Sequence, residues 1–187
     1  GVALDPETEI LALIGSKEGI GHLPIALAGA GDTVLIPDPG YPPYLSGTLF
    51  ANAKPVIFPL QEKNSFLPDF KTLPSGARLL FFNYPNNPTG ATAPPGFFKD
   101  AVKWAQAQGT WLAHDAAYAE AFFNGMRPES LLQTPGAMDC GLEFHSLSKT
   151  FNMTGWRVGW ACGNAAGIAA LAKVKNNVDS GVFTAIQ

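Results

Sequence analysis

The sequence predicts a three-layer α/β/α domain built on a mostly parallel sheet, and three observations carry that prediction. Short apolar runs alternate with longer segments of helical period, the rhythm of βαβ units. Most of these runs are apolar almost throughout instead of alternating, as strands are when crossover helices cover both faces of a sheet. The chain of 187 residues is 47% hydrophobic and 14% charged, which suits one well-buried domain and excludes a disordered one.

Taken in order, "EILALI" (9–14) is the first predicted strand, and it runs through a "GSKEG" turn into a helix, "KEGIGHLPIALAGA" (17–30). "DTVLIP" (32–37) is the second strand, followed after the Pro/Gly loop "IPDPGYPP" by a helix in "YPPYLSGTLFANA" (41–53). "KPVIFPL" (54–60) and "ARLLFFN" (77–83) are the third and fourth strands, and "NYPNNPTGATAPP" after them is a loop within the domain, not a linker. In "PPGFFKDAVKWAQAQG" (94–109), Phe97, Phe98, Ala101, Val102, Trp104 and Ala105 gather on one helical face, which predicts packing on the sheet. "GTWLAHD" (109–115), "LEFHSLS" (142–148) and "RVGWACG" (157–163) are the remaining strands, and "NAAGIAALAKVKNN" (164–177) is the last helix. No internal repeat or low-complexity tract interrupts the series.

Charge narrows the partners. The net charge is −3 with twelve basic residues scattered along the chain, which leaves no footprint for nucleic acid and no basic stripe for a membrane surface. No apolar run approaches the length of a membrane span. A small molecule or another protein chain is the expected partner. Cys140 and Cys162 form no CxxC pattern and are read as reduced thiols, neither bridge nor metal site, so a reducing, cytoplasmic setting is expected. The chain opens on "GVALDPETEI" without an initiator methionine and closes on "SGVFTAIQ". It is expected to be a piece of a longer polypeptide.

In an open parallel sheet, ligands bind beyond the carboxyl ends of the strands. Polar residues that follow apolar runs therefore matter most, and they place Ser16, Asn87, Asp115, Tyr118, Ser146 and Lys149 along one edge. The Gly15–Gly19 turn offers free amides and the positive end of a helix dipole, an anion site, although an ordinary strand-to-helix turn reads the same way. It is neither a Walker A loop nor a GxGxxG fingerprint, so no nucleotide is expected. Asp115 closes an apolar strand, where a carboxylate needs a cation or strong donor, and a structural salt bridge or helix cap would also satisfy it. Asn87 in "NNPTG" fits an Asx-turn equally well, and Tyr118 and Tyr41 fit half-buried aromatics with wet hydroxyls. Lys149 directly follows a buried strand among small residues. A partly desolvated lysine there loses its charge more readily and becomes an amine nucleophile for carbonyl compounds. Lysine, phosphate turn and strand-end aspartate together suit a cofactor carrying an aldehyde, a phosphate and a ring nitrogen, and pyridoxal phosphate is such a cofactor.

In the order "GSKEG", "PGY", "NNPTG", "DAAY" and "SLSK" followed by "GWRVG", the chain resembles the class I/II aminotransferases among the fold type I pyridoxal-phosphate enzymes. The resemblance covers nearly the whole chain. It implies that Lys149 holds the cofactor through its amine and shuttles a proton at the substrate α-carbon, that Asp115 pairs with the protonated ring nitrogen, and that Asn87 and Tyr118 hydrogen-bond the phenolic oxygen. It implies further that Tyr41 stacks on the ring, and that the phosphate is held by Ser16, Lys17, Ser146 and Arg157, with Ser148 assisting.

The same resemblance implies that residues 1–187 are the cofactor-binding large domain, without the N-terminal segment and C-terminal small domain of the family. Neither Arg78 nor Arg127 matches the arginine that binds the substrate carboxylate in that small domain. The wording "LIGSKEGIGHLP" with "PDPGYPPY" is most similar to the diaminopimelate, N-succinyldiaminopimelate and alanine or aspartate branch. The activity expected is ping-pong transfer of an amino group from an amino acid to a 2-oxo acid, in a homodimer. A cysteine–sulfur β-lyase and the effector domain of an aminotransferase-like transcription regulator stand as alternatives.

Overall fold

The computed structural model describes residues 1–123 and 125–186. Seven strands lie in one sheet: β1 (Ile10–Leu13), β2 (Thr33–Asp38), β3 (Lys54–Pro59), β4 (Leu79–Asn83), β5 (Trp111–Asp115), β6 (Gly141–Ser146) and β7 (Gly159–Gly163). Their order across the sheet is β1-β7-β6-β5-β4-β2-β3. Only β7 runs antiparallel, to β6 on one side and β1 on the other, while the remaining pairs are parallel. The expected three-layer α/β architecture is the one observed.

Five α-helices accompany the strands among the described residues: α1 (Ser16–Leu27), α2 (Pro42–Phe50), α3 (Phe97–Gln108), α4 (Leu147–Thr150) and α5 (Ala165–Val178). Two apolar clusters occupy the two faces of the sheet. One joins Leu80, Phe82 and Leu112 to Phe97, Phe98, Ala101, Val102 and Ala105 of α3. The other joins Leu79, Phe81, Ala113 and Phe144 to Ile20 and Leu23 of α1, Tyr44 of α2 and Ile168 and Leu171 of α5. Leu79 and Phe81 thus face one layer and Leu80 and Phe82 the other, which is why β4 reads as a continuous apolar run. Each such side chain contributes about 1.5–3 kcal/mol on full burial.

Sequence and structure differ at the ends and in one connection. α1 stops at Leu27 and α2 at Phe50, short of the "AGA" and "ANA" tails. Trp104 lies at the margin of the α3 face, half-buried and tilted against Phe70 with ring centroids 6.1 Å apart. Two positive-φ glycines bracket that helix, Gly96 before it and Gly109 after it, the latter donating its amide to the Ala105 carbonyl. The run "LEFHSLS" was expected to be extended throughout, yet it turns helical after Ser146. There the Ser146 hydroxyl accepts from the Ser148 amide at 3.3 Å and caps α4.

Candidate active site

The carboxyl ends of β4, β5 and β6 open on one small cleft lined by Ser16, Tyr41, Asn83, Asn87, Asp115, Tyr118 and Lys149, with Ala117 between them. Six of the ten residues singled out from the sequence therefore meet in it.

Asp115 ends β5 only 6% exposed. The Tyr44 hydroxyl donates to its Oδ2 at 2.9 Å and the Ala117 amide to its Oδ1 at 3.3 Å. Burial raises its carboxyl above the usual range, opposed by those two donors and by the charges of His114 and Lys149. Tyr44 is itself fully buried, stacked on Phe81 with centroids 4.6 Å apart, and burial with the adjacent carboxylate pushes its phenol well up, so the proton stays on to donate. Asn83 ties the neighbouring strand end into the same wall: its Nδ2 donates to the Asp115 carbonyl at 2.6 Å, and its Oδ1 accepts from the Asn87 amide at 2.7 Å.

That last bond fixes where Asn87 stands. The Asx-turn belongs to Asn86, whose Oδ1 takes both the amide and the hydroxyl of Thr89. Asn87 is left with its side chain at the cleft, Nδ2 lying 3.5 Å from the Tyr118 hydroxyl. Lys149 sits in the last turn of α4 with Nζ 5.9 Å from the centroid of the Tyr118 ring. It is exposed. The desolvation expected from its small neighbours is thus not supplied by this chain, because a one-turn helix at the sheet rim presents the side chain outward.

At the other end of the cleft, Gly15 takes φ 73° and ψ 154° to turn β1 into α1. A Cβ there would come within 2.4 Å of Arg157 Nη2, so glycine lets the turn and the guanidinium adjoin. Gly159 of β7 does the same from behind, since a Cβ there would lie 2.7 Å from the Ser16 amide nitrogen. Arg157, in left-handed backbone at φ 56°, also donates from Nη1 to the Thr154 carbonyl at 2.8 Å. Lys17 projects from the turn with Nζ 5.9 Å from the Tyr41 ring centroid. Ser16 is buried. Of the two serines before Lys149, Ser146 is engaged as the α4 cap, whereas Ser148 Oγ is buried with no hydrogen-bond partner among the described residues.

Tyr44 and Asn83 were not anticipated. Asn83 carried the same signal as Asp115, a polar residue ending an apolar run. Tyr44 left none, because its contact to Asp115 spans 71 residues.

A strand-end lysine, a buried carboxylate and a glycine turn beside an arginine are the equipment of a pyridoxal-phosphate enzyme, and the chain belongs to the class I and II aminotransferases, whose family model matches residues 1–187. Pyridoxal phosphate is the cofactor of that family. Among curated proteins the chain is 53% identical to an LL-diaminopimelate aminotransferase of Desulforudis audaxviator and 52% identical to one of Moorella thermoacetica, in each case over 100% of this chain and 49% of the relative. The apo-BacF structure from Bacillus subtilis superposes with a TM-score of 0.92 at 42% identity, covering 98% of this chain and 48% of that one. The chain spans about half the length of the curated relatives it matches.

Local chemistry fits the cofactor. An orphaned buried hydroxyl at Ser148 and a turn held against Arg157 suit a phosphate. A buried carboxylate whose charge is disfavoured by burial suits a protonated ring nitrogen.

Proposed function

We propose that this chain is the pyridoxal-phosphate-binding large domain of an aminotransferase that moves an amino group from a diaminopimelate-class amino acid to a 2-oxo acid. The observation that carries the reading is the convergence of Lys149, Asp115, Tyr118 and Asn87 in one cleft at the strand ends, with the Gly15 turn and Arg157 beside it. The substrate class follows the printed names of the most similar relatives. The family resemblance adds a cytoplasmic homodimer.

When bound, pyridoxal phosphate supplies a ring that withdraws electrons from the amino acid's α-carbon. Lys149 Nζ would hold the cofactor through its aldehyde carbon, with the aldehyde oxygen leaving as water, and would carry the proton at the substrate α-carbon. The Asp115 carboxylate keeps a proton on the ring nitrogen, and Tyr44 keeps the carboxylate oriented. Asn87 and Tyr118 would donate to the cofactor's phenolic oxygen, and Tyr41 would pack on its ring. The amides of Ser16 and Lys17, the hydroxyls of Ser146 and Ser148 and the Arg157 guanidinium hold the phosphate.

Borohydride reduction of the protein mixed with pyridoxal phosphate, followed by peptide mass spectrometry, is expected to place the pyridoxyl group on Lys149. Lys149→Ala should abolish that tag and lower amino transfer from LL-diaminopimelate by about 10²–10⁴-fold or more. A tag on another lysine, or one that survives in the variant, refutes the assignment.

A further inference from the structure

Resting on the cofactor reading above, a second question is what keeps the phosphate turn open. Ser16 and Lys17 are the first residues of α1, so their amides have no acceptor within the helix. Glu18 follows at the third helical position. A glutamate there ordinarily reaches back to the N-cap amide, but Gly15 already donates that amide to the Leu13 carbonyl at 2.8 Å, so the positive end of the helix dipole would draw a loose Glu18 onto the amides still open, those of Ser16 and Lys17. An acid in that place would occupy the donors a phosphate needs.

Glu18 is instead held sideways. Its Oε2 accepts from the Ile14 amide at 2.6 Å, and its Oε1 accepts from Lys175 Nζ at 2.9 Å. Lys175, 5% exposed in the last turns of α5, donates also to Asp179 Oδ1 at 2.7 Å, and that oxygen takes the Gly181 amide at 2.8 Å. His22 stands on the far side, Nδ1 3.9 Å from Glu18 Oε1. Glu18, His22 and Asp179 lie close enough together for a metal ion, but the Lys175 ammonium is already bonded to both carboxylates. Burial raises the Glu18 carboxyl, with the Lys175 hydrogen bond opposing it. As adhesive between α1 and α5 this arrangement has no advantage, since apolar pairs of similar volume hold helices as well or better than buried ions. What the ions add is direction: one carboxylate fixed on one amide.

We propose that Lys175 and Asp179 are positioning residues for the phosphate turn, holding Glu18 on the Ile14 amide and away from the open amides of Ser16 and Lys17. Removing the ammonium frees Glu18 to fold back and compete with the phosphate.

The test compares two ligands that differ only in the phosphate. Fluorescence titration of Lys175→Met is expected to show pyridoxal phosphate binding weakened about tenfold and pyridoxal binding unchanged within about twofold. Adding Glu18→Gln to that variant should recover most of the lost affinity, because a neutral amide does not compete for an anion site; simple loss of packing predicts no recovery. Asp179→Asn, which leaves the ammonium in place, carries the test should Lys175→Met not fold, with an expected loss of about threefold for the phosphorylated ligand alone. Equal weakening of both ligands, no weakening in Asp179→Asn, or no recovery in the double variant overturns the proposal. Wild-type protein that fails to prefer pyridoxal phosphate over pyridoxal would instead count against the cofactor reading.

Discussion

Asp115 is held where its charge is least favoured, and that placement separates stability from function at one residue. Its folded carboxyl lies above the ordinary value of 3.8 because of burial, so the stability associated with its neutral form is fully present below 3.8 and is lost as pH rises through the raised value. The charged form is the one that burial disfavours. Asp115→Asn keeps an oxygen to accept from the Tyr44 hydroxyl and removes the charge, at the loss of the longer 3.3 Å bond from the Ala117 amide. In the absence of cofactor it is expected to raise the melting temperature at pH 7 by roughly 2–4 °C, while the role proposed for Asp115 at the ring nitrogen predicts that amino transfer falls. Calorimetry of the cofactor-free variant decides it: an unchanged or lower melting temperature would mean that Tyr44 and Ala117 already compensate the charge in full.

At the scale of elements, the distance from Asp115 to Lys149 depends on how β5 is registered on β6. Asp115 lies opposite Phe144, and the preceding pair, His114 opposite Glu143, faces the other side of the sheet. Glu143, 2% exposed, is bonded to His114 Nδ1 at 2.9 Å and His145 Nε2 at 2.8 Å, and it accepts from the Ser130 hydroxyl and the Leu131 amide. Burial alone would raise its carboxyl, but the two histidines outweigh it and hold the value well below 4.5. A depressed acid contributes stability that is complete above its unfolded value and lost as pH falls toward its folded one. Glu143→Gln is therefore expected to lower the unfolding free energy by about 3 kcal/mol at pH 7. Below pH 4.5 the gap from wild type should narrow by about 1.4 kcal/mol per pH unit. Urea unfolding at pH 7, 4 and 3 measures both; a gap independent of pH would show that Glu143 acts through packing and not through charge. This lock was invisible in "LEFHSLS", where Glu143 read only as one polar residue within a strand. The start of α4 was hidden there too, since a single helical turn has no periodicity to detect.

For the molecule as a whole, the strands and the four longer helices were legible because continuous apolar runs and helical faces are local patterns that the sheet then uses directly. So were the cleft residues that end strands, because a parallel sheet collects such ends on one edge. What depended on distant pairing was not legible: Tyr44 on Asp115, Lys175 on Glu18, and the exposure of Lys149. The site is assembled from the turn before α1, the loop before α2, the ends of β4 and β5, α4 and the segment before β7, so a ligand held by all of them ties several elements together at once. Binding that favours the folded state stabilises it by about 2.7 kcal/mol when the ligand is at a hundred times its dissociation constant. In a chain of this size that corresponds to roughly 5–10 °C in melting temperature. Pyridoxal phosphate is expected to produce such a shift in a thermal scan, and Lys149→Ala to retain part of it, because the phosphate and ring contacts come from other residues. A melting temperature that the cofactor leaves unmoved would mean that these elements do not share a ligand.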